Sequence, residues 1–183
     1  MKKNILAIVG LAGAGKTEST EYLMEKAKWP KVYFGQAVVD EVANRNLPLN
    51  EQNERLVREE FRAKHGMAAM AIANMPKVKE LFENSSVIVE SMYSWEEYLA
   101  LREQFGDCFK VLAIYSSLST RIARLEIRPH RPLNAEDVEA RDKSQIENLH
   151  QAGPIARADW TIVNEGSKEE LYKKIDEIVK KLN

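Results

Sequence analysis

Cysteine is almost absent from this chain of 183 residues, and what is missing narrows its chemistry early. The single Cys108 excludes an intramolecular disulfide and a cysteine-only zinc site. His65, His130 and His150 have no ligand-like spacing with it or with one another, so no zinc centre is expected. Long apolar runs are also lacking. Met1-Lys2-Lys3 leads into a short one that Gly10 interrupts, the pattern of a buried strand and not of a secretion signal or a membrane span. Neither charge sign is in excess: 27 Lys and Arg face 28 Asp and Glu, for a formal net charge of −1. That balance excludes a disordered acidic tail and a generally basic nucleic-acid binder, and any basic site must be local. Internal repeats, low-complexity tracts and linkers are absent too. The expectation is one domain over residues 1–183, acting in the cytoplasm with no membrane or nucleic-acid partner.

What is present begins with Gly10-Leu11-Ala12-Gly13-Ala14-Gly15-Lys16-Thr17, a G-x-x-x-x-G-K-[ST] motif directly after the apolar run Ile5–Val9. Its glycines let the backbone curl so that successive N–H groups point at an anion, and the helix that follows presents its positive dipole end to the same point. Lys16 adds a mobile charge for the β- and γ-phosphates of a nucleotide, and Thr17 a hydroxyl for Mg²⁺. The nucleotide-contacting set is therefore Gly10, Gly13, Ala14, Gly15, Lys16, Thr17 and the adjoining Glu18.

Four further runs, Lys31–Phe34, Val87–Val89, Phe109–Tyr115 and Trp160–Val163, alternate with helical sequence. Most are continuously apolar, which predicts a parallel sheet covered on both faces. Ser94-Trp95-Glu96-Glu97 and Ser167-Lys168-Glu169-Glu170 fit capping boxes, and Asn134 precedes a polar helix predicted to stop near Gly153-Pro154. The interval of about 35–85 is helical throughout, with breaks predicted at Leu47-Pro48-Leu49-Asn50, Gly66 and Met75-Pro76. An all-helical insertion near the carboxyl edge of a parallel sheet reads as a substrate-covering lobe, or as a subdomain that completes the core.

Two arginine stripes recur at i, i+3 and i+7. Arg55, Arg58 and Arg62 lie in the insertion among Glu51, Glu54, Glu59 and Glu60, as a solvated salt-bridged face or as a fork for an acceptor phosphate or carboxylate. Arg121, Arg124 and Arg128 follow the fourth strand, with Glu126 the one acid nearby, and His130-Arg131-Pro132 extends them into a loop. A basic segment there, about 121–133, could close over nucleotide and place guanidinium groups on the transferring phosphoryl. Val87-Ile88-Val89-Glu90-Ser91 ends a strand in a carboxylate, which makes Glu90 the candidate partner of Mg²⁺, with Asp40 and Asp107 as rivals.

These residues, together with Ala158-Asp159-Trp160-Thr161-Ile162-Val163-Asn164-Glu165-Gly166, resemble the nucleoside-monophosphate-kinase group of phosphate-loop proteins, nearest to dephospho-CoA kinases and the adenylate-kinase-related proteins of prokaryotes. The resemblance implies a three-layer α/β P-loop NTPase fold with a five-stranded parallel sheet, a helical acceptor lobe and a short basic lid. It implies ATP and Mg²⁺, and transfer of the γ-phosphoryl to a small phosphorylated acceptor such as a nucleoside monophosphate or a dephospho-CoA-like molecule. By the same resemblance Asn164 and Gly166 lie by the adenine, Arg121, Arg124 and Arg128 are lid arginines, and Arg141 contacts phosphate. Relatives often carry Gly-Asp-x-x-Arg after the second strand, where this chain has Gly35-Gln36-Ala37-Val38-Val39. Without that arginine, Arg62 or a neighbour such as Arg58 takes over the acceptor phosphate beside Gly35, or the acceptor is not a nucleoside monophosphate; the same departure favours the rival reading, a nucleotide-hydrolysing switch whose helical lobe binds a protein. Glu90 stands where an Asp is commoner.

Overall fold

A computed structural model describes residues 3–129 and 132–182. At its centre β1 (Ile5–Val9) is buried along its whole length, because its residues point alternately to two faces and both faces are covered. It is hydrogen-bonded in parallel to β3 (Val87–Glu90) on one side and β4 (Phe109–Tyr115) on the other, with Ile5 opposite both Val87 and Phe109. β2 (Lys31–Tyr33) and β5 (Trp160–Val163) complete a five-stranded parallel sheet in the order β2-β3-β1-β4-β5. The strands fall where the apolar runs predict them.

Ile5, Ala7 and Val9 face a core with Phe34, Val57, Met70, Val78, Leu101 and Phe109. Leu6 and Ile8 face another with Leu23, Ile114, Ile162, Leu171 and Ile175. The second face is covered by α1 (Lys16–Ala27) and α9 (Lys168–Leu182), the latter through Leu171, Ile175, Ile178 and Leu182 on one stripe. Each such apolar side chain contributes roughly 1.5–3 kcal/mol on burial.

The insertion is helical as expected: α2 (Gln36–Asn44), α3 (Glu51–His65) and α4 (Ala69–Phe82). Asn50 caps α3 by accepting from the Asn53 N–H at 3.0 Å, and Gly66, at φ 73°, ends it. The predicted break at Met75-Pro76 does not occur, and α4 runs through Pro76. The proline removes one helical hydrogen bond, but Met70, Ala71, Asn74 and Val78 are buried along the helix, and the Asn74 amide donates to the Phe34 carbonyl at 3.0 Å. Packing outweighs the local penalty of about 3 kcal/mol.

α5 (Trp95–Phe105) begins at the predicted capping box of Ser94 and Glu97, and α6 (Leu118–Glu126) follows β4. At Ser167 the contact that forms is the bond from the Glu170 N–H to the Ser167 hydroxyl, 3.3 Å. The long polar helix after Asn134 is a second correction. α7 (Ala135–Lys143) passes into a π turn over Ser144–Asn148, the chain reverses at His150 (φ 55°), and a separate α8 (Ala152–Ala156) contains the predicted stop. Pro154 is tolerated because it lies in the first turn, where no N–H partner is required. Gly153 is there because a Cβ would meet the Trp95 ring at 2.8 Å.

Candidate active site

The connection from β1 runs toward β2, and that from β3 runs back across β1 to β4, so the crevice at the carboxyl ends of β1 and β3 is the topological switch point of the sheet. The Gly10–Thr17 loop occupies it. Gly10 (φ 143°) and Gly15 (φ 108°) hold conformations closed to other residues, and an added Cβ would collide with the Ile114 carbonyl and the Asn164 amide respectively. The loop carbonyls face outward into the scaffold. Ala14 O accepts from Asn164 Nδ2 at 2.8 Å, Gly10 O from Gln151 Nε2 at 3.2 Å, and Ala12 O from an Arg121 guanidinium nitrogen at 3.2 Å. The Ser116 hydroxyl donates to Asn164 O at 2.6 Å and accepts from Arg124 at 3.0 Å. Three of the loop carbonyls are thus held by side chains from outside the loop, and α1 begins without a side-chain cap on its first N–H groups, the groups that suit an anion.

Lys16 arches back over the loop and donates to Leu11 O at 3.0 Å. Burial lowers its pKa to about 8, helped by the cations Arg141 and Arg121 and opposed by Glu90 and Asp142. Five of the site's charged groups thus share one electrostatic neighbourhood. Thr17 is exposed at the start of α1. Glu90 ends β3 opposite Ile8 and makes a 2.7 Å ion pair with Lys31. Its rivals are elsewhere: Asp40 is exposed on α2 and accepts from Gln36 at 2.8 Å, and Asp107 lies in the turn that precedes β4, at the other end of the sheet. Glu18 points away from the loop, with its carboxylate 2.6 Å from Lys168 Nζ and hydrogen-bonded by the Tyr172 hydroxyl. Gly166 lies under Glu170, whose carboxylate fills the space a Cβ would need.

A cleft of about 500 Å³ gathers Gly35, Arg58, Arg62 and Arg141 with Tyr33, Glu54, Ser91, Tyr93 and Gln145. Arg55 is not among them. It is largely exposed and ion-paired to Glu59 at 2.8 Å, so the first arginine stripe divides into one solvated member and two in the cleft. Burial lowers the Arg62 pKa and the neighbouring Arg58 adds to this, while Glu97 opposes it. Glu97 itself is buried and accepts from the Tyr93 and Ser94 N–H groups at 2.7 and 2.9 Å; burial raises its pKa to about 7. Gly35 has an ordinary φ of −68°, and the end of the exposed Tyr33 ring occupies the space a Cβ would take there.

Residues 6–144 match the family model described as an AAA domain. A UPF0200 protein of Thermococcus onnurineus is 31% identical over 182 residues, with 97% of each chain covered. The chain belongs to the UPF0200 family. A UPF0200/UPF0201 protein of Archaeoglobus fulgidus is 32% identical over 185 residues, and this chain spans 57% of its length. Among solved structures, a shikimate kinase from Bacteroides thetaiotaomicron superposes with a TM-score of 0.62 at 13% identity, covering 97% of this chain and 98% of that one. A gluconokinase from Sinorhizobium meliloti does so with a TM-score of 0.60 at 15% identity, covering 99% and 96%. The fold of this UPF0200 chain is the α/β fold of P-loop kinases.

The second arginine stripe is arranged differently from the expectation. Arg121 is 5% exposed and held by Asp142 through two hydrogen bonds of 2.9 and 2.5 Å in addition to its bond to the loop. It ties α6 and α7 to the loop, a buried guanidinium whose charge is met by the carboxylate beside it. Leu125 packs with Ala12 and Val138, so α6 is seated on the loop in this structure. Arg124 is half-buried on Ser116, and Arg128 is half-buried beyond the helix end. His130 and Arg131 lie outside the described residues. Sequence reasoning missed Asp142, Gln145, Tyr33 and Tyr93. Asp142 is adjacent in sequence to Arg141, but nothing in the sequence pairs it with Arg121; it and the others become neighbours of the site only through folding.

Proposed function

We propose that this UPF0200 protein is an ATP-dependent phosphotransferase that moves the γ-phosphoryl of Mg-ATP to a small phosphorylated acceptor in the cytoplasm. One observation carries the reading: Arg141 lies in the arginine-lined cleft and also within electrostatic reach of Lys16, so an anion in the cleft and a phosphate on the loop would meet at a shared cation. Hydrolysis needs no second anion pocket. Loop N–H groups and Lys16 hold the β- and γ-phosphates, and Arg58, Arg62 and Arg141 hold the acceptor. An acceptor phosphate oxygen forms a bond to the γ-phosphorus as the bond from that phosphorus to the β–γ bridging oxygen breaks and ADP departs. Where the nucleophile is an acceptor phosphate oxygen, as in a nucleoside monophosphate, no base is required, since that oxygen is already ionised. Arg124, bonded to the Ser116 that also touches the loop carbonyl of Ala14, and Arg128 would supply further cations for transition-state charge.

The residues present fit Mg²⁺. Among the described residues there is no cluster of three or more His, Cys, Asp or Glu, as suits an ion that keeps waters and phosphate oxygens around one or two protein ligands. Thr17 and Glu90 would hold it, and it would neutralise phosphate charge. Asn164 acts on the nucleotide through the loop it fixes, and Gly166, two residues on, leaves room for the Glu170 carboxylate. Among the described residues no helix is long and apolar enough to cross a membrane. The test is transfer of label from γ-labelled ATP to nucleoside monophosphates, dephospho-CoA, shikimate and gluconate. Label recovered in free phosphate alone would replace the kinase with a nucleotide-hydrolysing switch.

A further inference from the structure

One buried polar group in the cleft is left unsatisfied by the protein. Gln145 lines the cleft beside Arg141, is 5% exposed, and its Oε1 has no hydrogen-bond partner among the described residues. A buried amide oxygen without a donor costs about 1–3 kcal/mol, so a position that only had to fill space would be served better by Leu or Met. The local backbone is unusual as well. Gln145 belongs to the π turn Ser144–Asn148, and its own carbonyl is taken by the Gln151 N–H at 3.0 Å, which ties the turn to the reversal at His150. The π turn sets Gln145 one turn beyond Arg141, on the same wall of the cleft. The terminal torsion of a glutamine is broad, so the carbonyl can turn to meet a ligand without moving the backbone.

We propose that Gln145 is an acceptor-recognition residue, whose amide carbonyl accepts a hydrogen bond from a hydroxyl or N–H donor on an anionic acceptor held by Arg58, Arg62 and Arg141. The inference rests on reading the cleft as the acceptor site. It specifies the ligand further: a charged group and a donor separated by the reach of one helical turn, about 5–6 Å. A simple inorganic anion satisfies the arginines and leaves Gln145 unmet.

Gln145→Met, close in shape and without the amide, tests this in three measurements. Urea denaturation of the ligand-free protein is expected to show an unchanged or higher midpoint, because an orphaned oxygen has been removed. Calorimetric titration with sulfate, an anion without a donor, is expected to give the same affinity in both proteins. Titration with AMP, GMP, CMP and UMP is expected to show about tenfold or greater weakening for whichever of them the wild type binds, since the ligand donor then faces an apolar group. A clear fall in the midpoint would make Gln145 a structural residue and overturn the proposal. So would nucleotide affinities that match between wild type and variant, or no binding of any of the four by the wild type. Label transfer from γ-labelled ATP separates this result from the kinase reading: Gln145-dependent binding without transfer would keep the recognition site and remove the chemistry.

Discussion

Arg121 and Asp142 give the sharpest test of how the loop is held. Their side chains are 6% and 14% exposed, and the ion pair is bidentate, with the same guanidinium bonded to the Ala12 carbonyl. A pair this buried behaves asymmetrically. Removing one partner leaves an uncompensated charge and costs about 3–5 kcal/mol, whereas replacing both by apolar side chains is commonly neutral or stabilising. Asp142→Asn and Arg121→Met are each expected to lower stability by that amount. For a chain of this size it corresponds to a fall of roughly 6–20 °C in Tm, at about 2–4 °C per kcal/mol. The double variant Arg121→Met, Asp142→Leu is expected to recover most of the loss, so that in a double-mutant cycle with Arg121→Met and Asp142→Leu, measured by urea denaturation, it costs far less than the two single variants added together. It is nonetheless expected to bind ATP more weakly than wild type, because Ala12 O has lost its fastener. Single variants that cost less than about 1 kcal/mol and add without coupling would show a pair no stronger than an exposed surface bridge, and would refute the reasoning.

Lys16→Ala is expected to lower phosphoryl transfer about 10²-fold or more with unchanged circular dichroism, and near-normal transfer would take the loop out of the chemistry. Because the free Lys16 ammonium is fully charged only below its pKa of about 8, the affinity of wild type for an ATP analogue is expected to fall as pH rises from 7 to 9, and a Lys16→Met variant to show no such slope. Arg62→Ala is expected to raise the acceptor KM far more than the ATP KM; equal rises would indicate damage to the shared fold, and no rise would make the residue a bystander. Glu97 has its pKa raised from 4.5 to about 7, so the native state holds its proton more tightly than the unfolded chain does. Its contribution is most favourable below pH 4.5 and is lost as pH rises to about 7, a penalty of roughly 3 kcal/mol at 1.36 kcal/mol per pKa unit. Glu97→Gln retains the cap and is expected to flatten stability between pH 5 and 8; an unchanged slope would assign it to another group.

The sequence by itself determined the sheet and the loop. Continuously apolar strands must be covered on both faces, and the backbone angles at Gly10 and Gly15 are closed to other residues, so local chemistry settles both. The helices were less legible where packing overrode local signals. Pro76 lies inside α4 because Asn74 and its buried neighbours hold that helix to Phe34, and the polar helix after Asn134 divides at a π turn that no periodicity announces. Of the two arginine stripes, identical in spacing, each was sorted by its surroundings. Arg55 went to solvent, Arg58 and Arg62 to the cleft, and Arg121 to a buried carboxylate on another helix. Spacing along a helix fixes which side chains share a face, but whether that face meets water, a cavity or an acid depends on elements distant in the chain. Gln145 makes the point most directly: its burial, its unmet oxygen and its place beside Arg141 exist only after the chain has folded.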